Sequence, residues 1–136
     1  MKIVLIACGG AFGSVLRYLV GGAVQRLMAG TTDRPPGAVF PAGTLAVNLI
    51  GCLLIGVLAA LFNRNVLPQD QYRLALTVGV LGGFTTFSAF GLDTLTLLQR
   101  NHLTLAMVNI GANVAGGLLA VQLGFWLVGL WRPQDI

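Results

Sequence analysis

Charged side chains are few in this chain, and glutamate is absent altogether. Eight Lys/Arg and four Asp among 136 residues make 9%, where a soluble domain carries about 25%. So few charges cannot cover a 14.2 kDa globule in water, which excludes a conventional soluble enzyme. The net charge of +4 and the pI near 9.8 do not make a nucleic-acid binder either. The basic residues stand singly, and no stripe of them could follow a phosphate backbone. Cysteine is limited to Cys8 and Cys52, both inside apolar segments with no Cys-x-x-Cys. They read as small buried hydrophobes, not as a disulfide frame or a metal site. The one histidine, His102, falls in a loop, and neither a Ser-His-Asp set nor a carboxylate pair is available. Hydrolysis and metal catalysis have no candidates, and the chain reads as no enzyme. A proton-coupled pump needs an acid or histidine inside the membrane; only Asp93 could serve.

What the chain has is apolar length: 56% hydrophobic residues and 19 glycines, with a mean hydropathy of +0.85. A membrane helix needs about 20 apolar residues to cross about 30 Å of hydrocarbon. Four stretches meet that need, at about 3–27, 41–62, 72–98 and 103–131. The first is interrupted by Arg17, the third holds Asp93 near its far end, and the fourth is long enough to require tilt or an interfacial end. The first stretch lacks an Ala-x-Ala-like cleavage site and continues as a glycine-patterned helix, so it reads as a span and not as a signal peptide. The connections are short: 30–37 with Thr-Thr-Asp-Arg-Pro-Pro, 63–71 with a Pro-Gln-Asp turn, and 99–102. The predicted fold is therefore an all-α membrane protein, with residues 1–136 forming a single domain of four transmembrane helices. Such a bundle is too thin for a large internal cavity, and self-association is expected.

Loop charges should set the orientation. Lys2, Arg64, Arg73 and Arg132 fall on one side, Arg26, Arg34 and Arg100 on the other. Four against three is almost no bias. One extra charge could fix a single topology, or the chain could insert both ways and pair with its inverted self. Charge counting leaves both readings open.

Glycines recur at helical spacing: Gly9, Gly10 and Gly13 in the first segment, Gly51 and Gly56 in the second, Gly111, Gly116, Gly117 and Gly124 in the fourth. In lipid, small residues let backbones approach, and close packing explains most of them. The third segment is different, reading Gly82-Gly83-Phe84-Thr85-Thr86-Phe87-Ser88-Ala89-Phe90-Gly91. Two glycines followed by two threonines and a serine suit a continuous helix interior poorly. A break at membrane depth is tolerated only where it is buried in protein or lines a polar cavity. Freed carbonyls at such a break are the kind of site that transporters use for Na⁺. Asn48 is the one strongly polar side chain of the second segment, while Asn109 and Asn113 share a face of the fourth. Polar side chains in lipid are costly and informative; an amide can glue helices or donate to an anion. Phe87 and Phe90, three apart, share a face if the segment after the break is helical. They read either as core residues or as ring edges, whose positive rim attracts an anion without trapping it. Arg17 and Asp93 are either vestibule charges or helix anchors.

Three motifs together carry a resemblance. They are Gly9-Gly10-Ala11-Phe12-Gly13-Ser14-Val15-Leu16-Arg17-Tyr18, Gly43-Thr44-Leu45-Ala46-Val47-Asn48-Leu49-Ile50-Gly51 and the Gly82–Phe90 run. In order, spacing and four-helix length, essentially the whole chain resembles the Fluc/CrcB fluoride channels. The resemblance implies a bacterial inner-membrane channel that exports F⁻ passively and relieves fluoride toxicity. It implies a dual-topology antiparallel homodimer with two fluoride pathways and one central Na⁺. By position, Phe87 and Phe90 match the pore phenylalanines and Asn48 the ion-donating asparagine. Ser88 lies in the same motif, and Asn113 falls on the fourth-helix polar track. The carbonyls of Gly82 and Thr85 match the Na⁺ ligands, while Arg17 stays a vestibule candidate on its own charge and position. The chain departs from the family pattern at Ala89, where a threonine is common, and along the fourth helix. There Asn109, Asn113, Gly116 and Gly117 stand where small hydroxyl residues are usual. Two other functions remain to be weighed: a proton-coupled small transporter, which needs a central carboxylate, and an accessory membrane subunit, which leaves the third-segment break unexplained.

Overall fold

The structure, a computed structural model, describes residues 1–30, 39–64, 66 and 71–130. Four runs are long and apolar enough to cross a membrane. The first is a single helix, α1 (Lys2–Ala29), and the second is α2 (Ala42–Asn63). The third is composite. It starts as α3 (Gln71–Leu74), widens into a π-helical segment (Ala75–Leu81), and returns to α-helix in α4 (Gly82–Phe84). It is then interrupted and resumes as α5 (Phe87–Gln99). The fourth span is α6 (Leu103–Leu130). These bounds fall within about two residues of those expected from apolar length alone. Arg34, Arg132, Trp131 and the Pro-Gln-Asp turn lie outside the described residues.

The helix ends are closed by specific groups, because a helix leaves its first N–H and last C=O groups without partners. Pro41 precedes α2, and a side chain from α1 caps that helix. Gln25 Oε1 accepts the Gly43 N–H at 2.9 Å, and its Nε2 donates to the Phe40 carbonyl at 3.1 Å. The tight turn from α5 to α6 depends on Asn101, the one non-glycine residue with positive φ (61°) among those described. Asn101 N–H donates to Leu98 O and His102 N–H to Leu97 O, the paired bonds of a Schellman turn, in which asparagine tolerates the left-handed conformation.

Packing follows the glycines. α2 lies along α6, and α1 lies along the π segment and α4. At Gly13 an added Cβ would collide with the Val80 carbonyl; at Gly56 it would meet the Val121 carbonyl, and at Gly124 that of Leu53. Gly83 makes the same allowance for the Gly10 carbonyl. Without an apolar driving force between helices in lipid, such backbone approach supplies the van der Waals contact that holds them. The core is correspondingly small: Val47, Phe62, Leu81, Phe84, Leu97, Ala106 and Val128 are buried. Large apolar side chains such as Ile3, Tyr18, Leu118 and Leu119 face outward, as a lipid-facing surface permits.

Gly13→Ala should lower the thermal midpoint of the purified protein in detergent, at an overpacking cost of about 1–3 kcal/mol. Gly129→Ala, with no atom within reach of its added Cβ, should leave the midpoint unchanged or slightly raised.

Candidate functional site

The interruption of the third span falls on two threonines. Thr85 (φ −86°, ψ 162°) and Thr86 (φ −154°, ψ 116°) are both extended. The adjacent glycines, expected to share in the break, do not: Gly82 is helical at φ −63°, ψ −36°. Gly83 is there for packing against the Gly10 carbonyl, and the β-branched hydroxyl residues turn the chain out of the helix.

The Thr85 N–H and both backbone groups of Thr86 have partners at the break. Thr85 N–H still donates to Leu81 O at 3.0 Å, and Thr85 Oγ donates to the same carbonyl. Thr86 N–H, the usual helical partner of the Gly82 carbonyl, is given instead to Asn48 Oδ1 at 2.9 Å. Asn48 Nδ2 returns a bond to the Thr86 carbonyl at 3.2 Å. One amide on α2 thus stands in for the missing helical bonds of Thr86 on both sides. Thr86 Oγ then accepts the Ala89 N–H at 3.1 Å and caps α5. This opens a 13-residue helix at mid-span with the positive end of its dipole facing the break.

From Asn48 a line of side-chain bonds runs outward. Asn48 Nδ2 donates to Asn113 Oδ1 at 2.9 Å. Asn113 Nδ2 donates to Oδ1 and the carbonyl of Asn109, both at 3.0 Å. Asn109 Nδ2 donates to Thr94 Oγ at 2.9 Å, and Thr94 Oγ donates to the Phe90 carbonyl at 2.8 Å.

Two cavities meet at the break. One, about 370 Å³, is lined by Asn48, Asn113, Thr85, Phe87 and Phe90 among others, and by no charged side chain among the described residues. The Phe87 and Phe90 rings stand 5.3 Å apart and tilted by 57°. Phe90 is buried at 9% exposure, whereas Phe87 is 82% exposed at the open side. The second, about 460 Å³, carries charge: Arg17, Arg26 and Asp93 line it. Asp93 Oδ2 accepts the Thr44 hydroxyl at 2.7 Å, and Arg17 Nη1 makes a long 3.5 Å contact to the Thr85 carbonyl. Thr86 lines both cavities.

A family model described as CrcB-like protein, Camphor Resistance (CrcB), matches residues 4–125. The chain belongs to the CrcB family. Among its relatives, a protein of Rhizobium johnstonii named fluoride-specific ion channel FluC is 46% identical over 124 residues, covering 91% of this chain and 93% of that one. The proteins of that name from Rhizobium etli (strain CIAT 652) and Agrobacterium fabrum are 48% and 46% identical, over 88% and 93% of this chain and 90% and 95% of theirs. With its four spanning helices, this CrcB-family chain is a multi-pass membrane protein.

Within this CrcB-family fold, the structure brings Asn48, Asn113, Phe87, Phe90, Gly82 and Thr85 to one cavity. Ser88 lies outside both cavity linings, its Oγ 3.2 Å from Thr86 Oγ. Arg17 lines the second cavity, and its Nη1 lies 3.5 Å from the Thr85 carbonyl at the break. Of the other fourth-helix candidates, Asn109 is fully buried, Gly117 faces the Cys52 sulfur and Gly116 faces Leu49. Sequence reasoning gave no individual role to Thr86, Thr94 or Thr44. Helical spacing offered a signal for two of them: Thr44 precedes Asn48 by one turn, and Thr94 follows Phe90 by one turn.

Asn48→Leu removes both partners of Thr86 and should destabilise the protein by about 1–3 kcal/mol for each orphaned backbone group. Thermal unfolding in detergent measures this, and wild-type stability would mean that another group takes over the clamp.

Proposed function

We propose that this chain is a fluoride-selective channel that lets F⁻ leave passively across the bacterial inner membrane and so relieves fluoride toxicity. The observation that carries the reading is the uncharged cavity at the break, lined by two amides and two phenylalanine rings, next to a cavity that carries charge. The FluC name of relatives at 46–48% identity supports it.

A small, strongly hydrated anion needs donors to replace its water, yet a fixed positive charge in the narrow part would hold it there. Arg17 and Arg26 supply the attraction in the wider vestibule. Past Thr86 the groups are neutral: the positive end of the α5 dipole, the Asn48 amide and the rims of Phe87 and Phe90. Both Nδ2 protons of Asn48 are engaged in the resting structure, by the Thr86 carbonyl and by Asn113 Oδ1. An anion that takes one of them displaces one of these acceptors, so the bond it breaks offsets part of the charge-assisted bond it makes and favours release.

The working unit is a pair of inverted copies, a reading supported by the near balance of loop charges and by Phe87, whose ring is open on the outer side of a single chain. Such a pair brings two breaks together. The Gly82 carbonyl has lost its usual helical donor, and the Thr85 carbonyl has only the long Arg17 contact. Two neutral oxygens are too few to hold a cation, whereas four from two copies suit Na⁺ better than Mg²⁺ or Ca²⁺, which call for charged or more numerous ligands. When bound, Na⁺ would supply charge compensation for converging carbonyl dipoles and hold the copies together, with no part in driving F⁻.

In proteoliposomes the protein should release F⁻ far faster than Cl⁻, at a rate indifferent to a Na⁺ or proton gradient; Na⁺-driven or proton-driven transport would overturn the reading. Phe87→Ile and Phe90→Ile keep bulk but remove the ring edge. Each should cut F⁻ flux about fivefold or more, the worth of roughly 1 kcal/mol of edge contact, while the dimer survives on size exclusion. A cysteine placed in the N-terminal tail should react with an impermeant label from both sides of the membrane; one-sided labelling would exclude inverted pairing.

A further inference from the structure

We propose that Asn109 and Thr94, which line neither cavity, are positioning residues that lock the amides of Asn113 and Asn48 in the facing that the Thr86 N–H dictates. The inference deepens the reading of the site as an anion path and rests on it only for the flux part of its test.

The argument starts from groups whose hydrogen-bonding sense cannot change. Thr86 N–H is a donor only, so the Asn48 atom 2.9 Å from it must be the amide oxygen. The Asn48 nitrogen therefore points at the Thr86 carbonyl and at Asn113, and the Asn113 atom that meets it must be an acceptor. That turns the Asn113 nitrogen toward Asn109, whose carbonyl and side-chain oxygen both receive it. The Asn109 nitrogen is left for Thr94 Oγ, which can accept because its own proton goes to the Phe90 carbonyl. Every bond in the series runs in the same sense, from a backbone N–H at the break to a backbone carbonyl on α5, and bonds so aligned polarise one another. Asn109 has 0% exposure and Thr94 8%. Neither lines the uncharged cavity that Asn48 and Asn113 line, so their influence on that cavity passes through Asn113. If Asn109 Oδ1 is lost or turned away, the Asn113 nitrogen keeps only the Asn109 backbone carbonyl to hold it away from Asn48. The Asn113 amide can then turn over and present N–H to N–H, which breaks the bond between them.

The choice of test separates orientation from simple packing. Thr94→Val has nearly the shape of threonine but cannot accept from Asn109; Thr94→Ser keeps the hydroxyl and loses a methyl. In protein labelled with ¹⁵N-asparagine and held in detergent micelles, Thr94→Val should shift the side-chain amide resonances of Asn109, Asn113 and Asn48, and Thr94→Ser should leave those of Asn113 and Asn48 in place. In proteoliposomes, Thr94→Val and Asn109→Leu should each lower F⁻ flux by about fivefold, with Thr94→Ser restoring it. An unmoved Asn48 resonance in Thr94→Val overturns the proposal whether or not the protein carries F⁻. Equal losses in the Val and Ser variants overturn it in favour of packing. A wild-type protein that moves no F⁻, yet shows the expected shifts, would refute the channel reading and leave the positioning role standing.

Discussion

The two bonds between the Asn48 side chain and the backbone of Thr86 are what the rest of the site depends on. Inside a bilayer no water is at hand to satisfy a peptide group that has left the helix, so a break persists only if the protein supplies a substitute. Asn48 presents a donor and an acceptor side by side, the same pair that a peptide group offers, and a single residue meets both backbone groups of Thr86. From that exchange come the start of α5 at mid-span, the placement of its capping hydroxyl on Thr86, and the separation of a charged cavity from an uncharged one.

The clamp works only because α1, α2 and the third span lie close together, and this closeness is the work of glycine. Gly51 stands where an added Cβ would meet the Thr85 side chain, so α2 can approach the break itself at that level. Gly13 and Gly83 do the same for α1 on the other side. The residues that keep these backbones near one another carry no chemistry of their own. They decide whether the side chains that do can reach.

How much of this could be read from the chain differs by element. The four spans were legible because apolar length is a local property, and their ends came out within about two residues. The fold class and the channel family were legible from three motifs. The break was placed in the right stretch, but part of it was assigned to Gly82 and Gly83, on the logic that glycine weakens helices. That logic is weaker in a membrane, where the helix is the cheapest way to satisfy the backbone and glycine is kept for contact; the extended pair is Thr85 and Thr86. The bonds from Asn48 to Thr86 and Asn113 span 38 and 65 positions, and no local pattern encodes such pairings. Asn113 was singled out with Asn109 as a matched pair on one face. The structure gives them different surroundings, one on a cavity wall and one wholly enclosed.

The π-helical segment at Ala75–Leu81 bears on how this stretch tolerates insertions and deletions. Its wide turns, closed by bonds to the fifth residue, hold more chain per turn than an α-helix does. Removing one residue there would not open the hydrogen-bond ladder, since ordinary turns could take over. Everything after it would instead rotate, by about 100° for each residue lost from an α-helical count. Gly82, Gly83 and Thr85 would then turn away from Gly10 and from the cavity they now face. The number of residues between Gln71 and Thr85 is thus set by the direction in which the break must point, and not by the thickness of the bilayer.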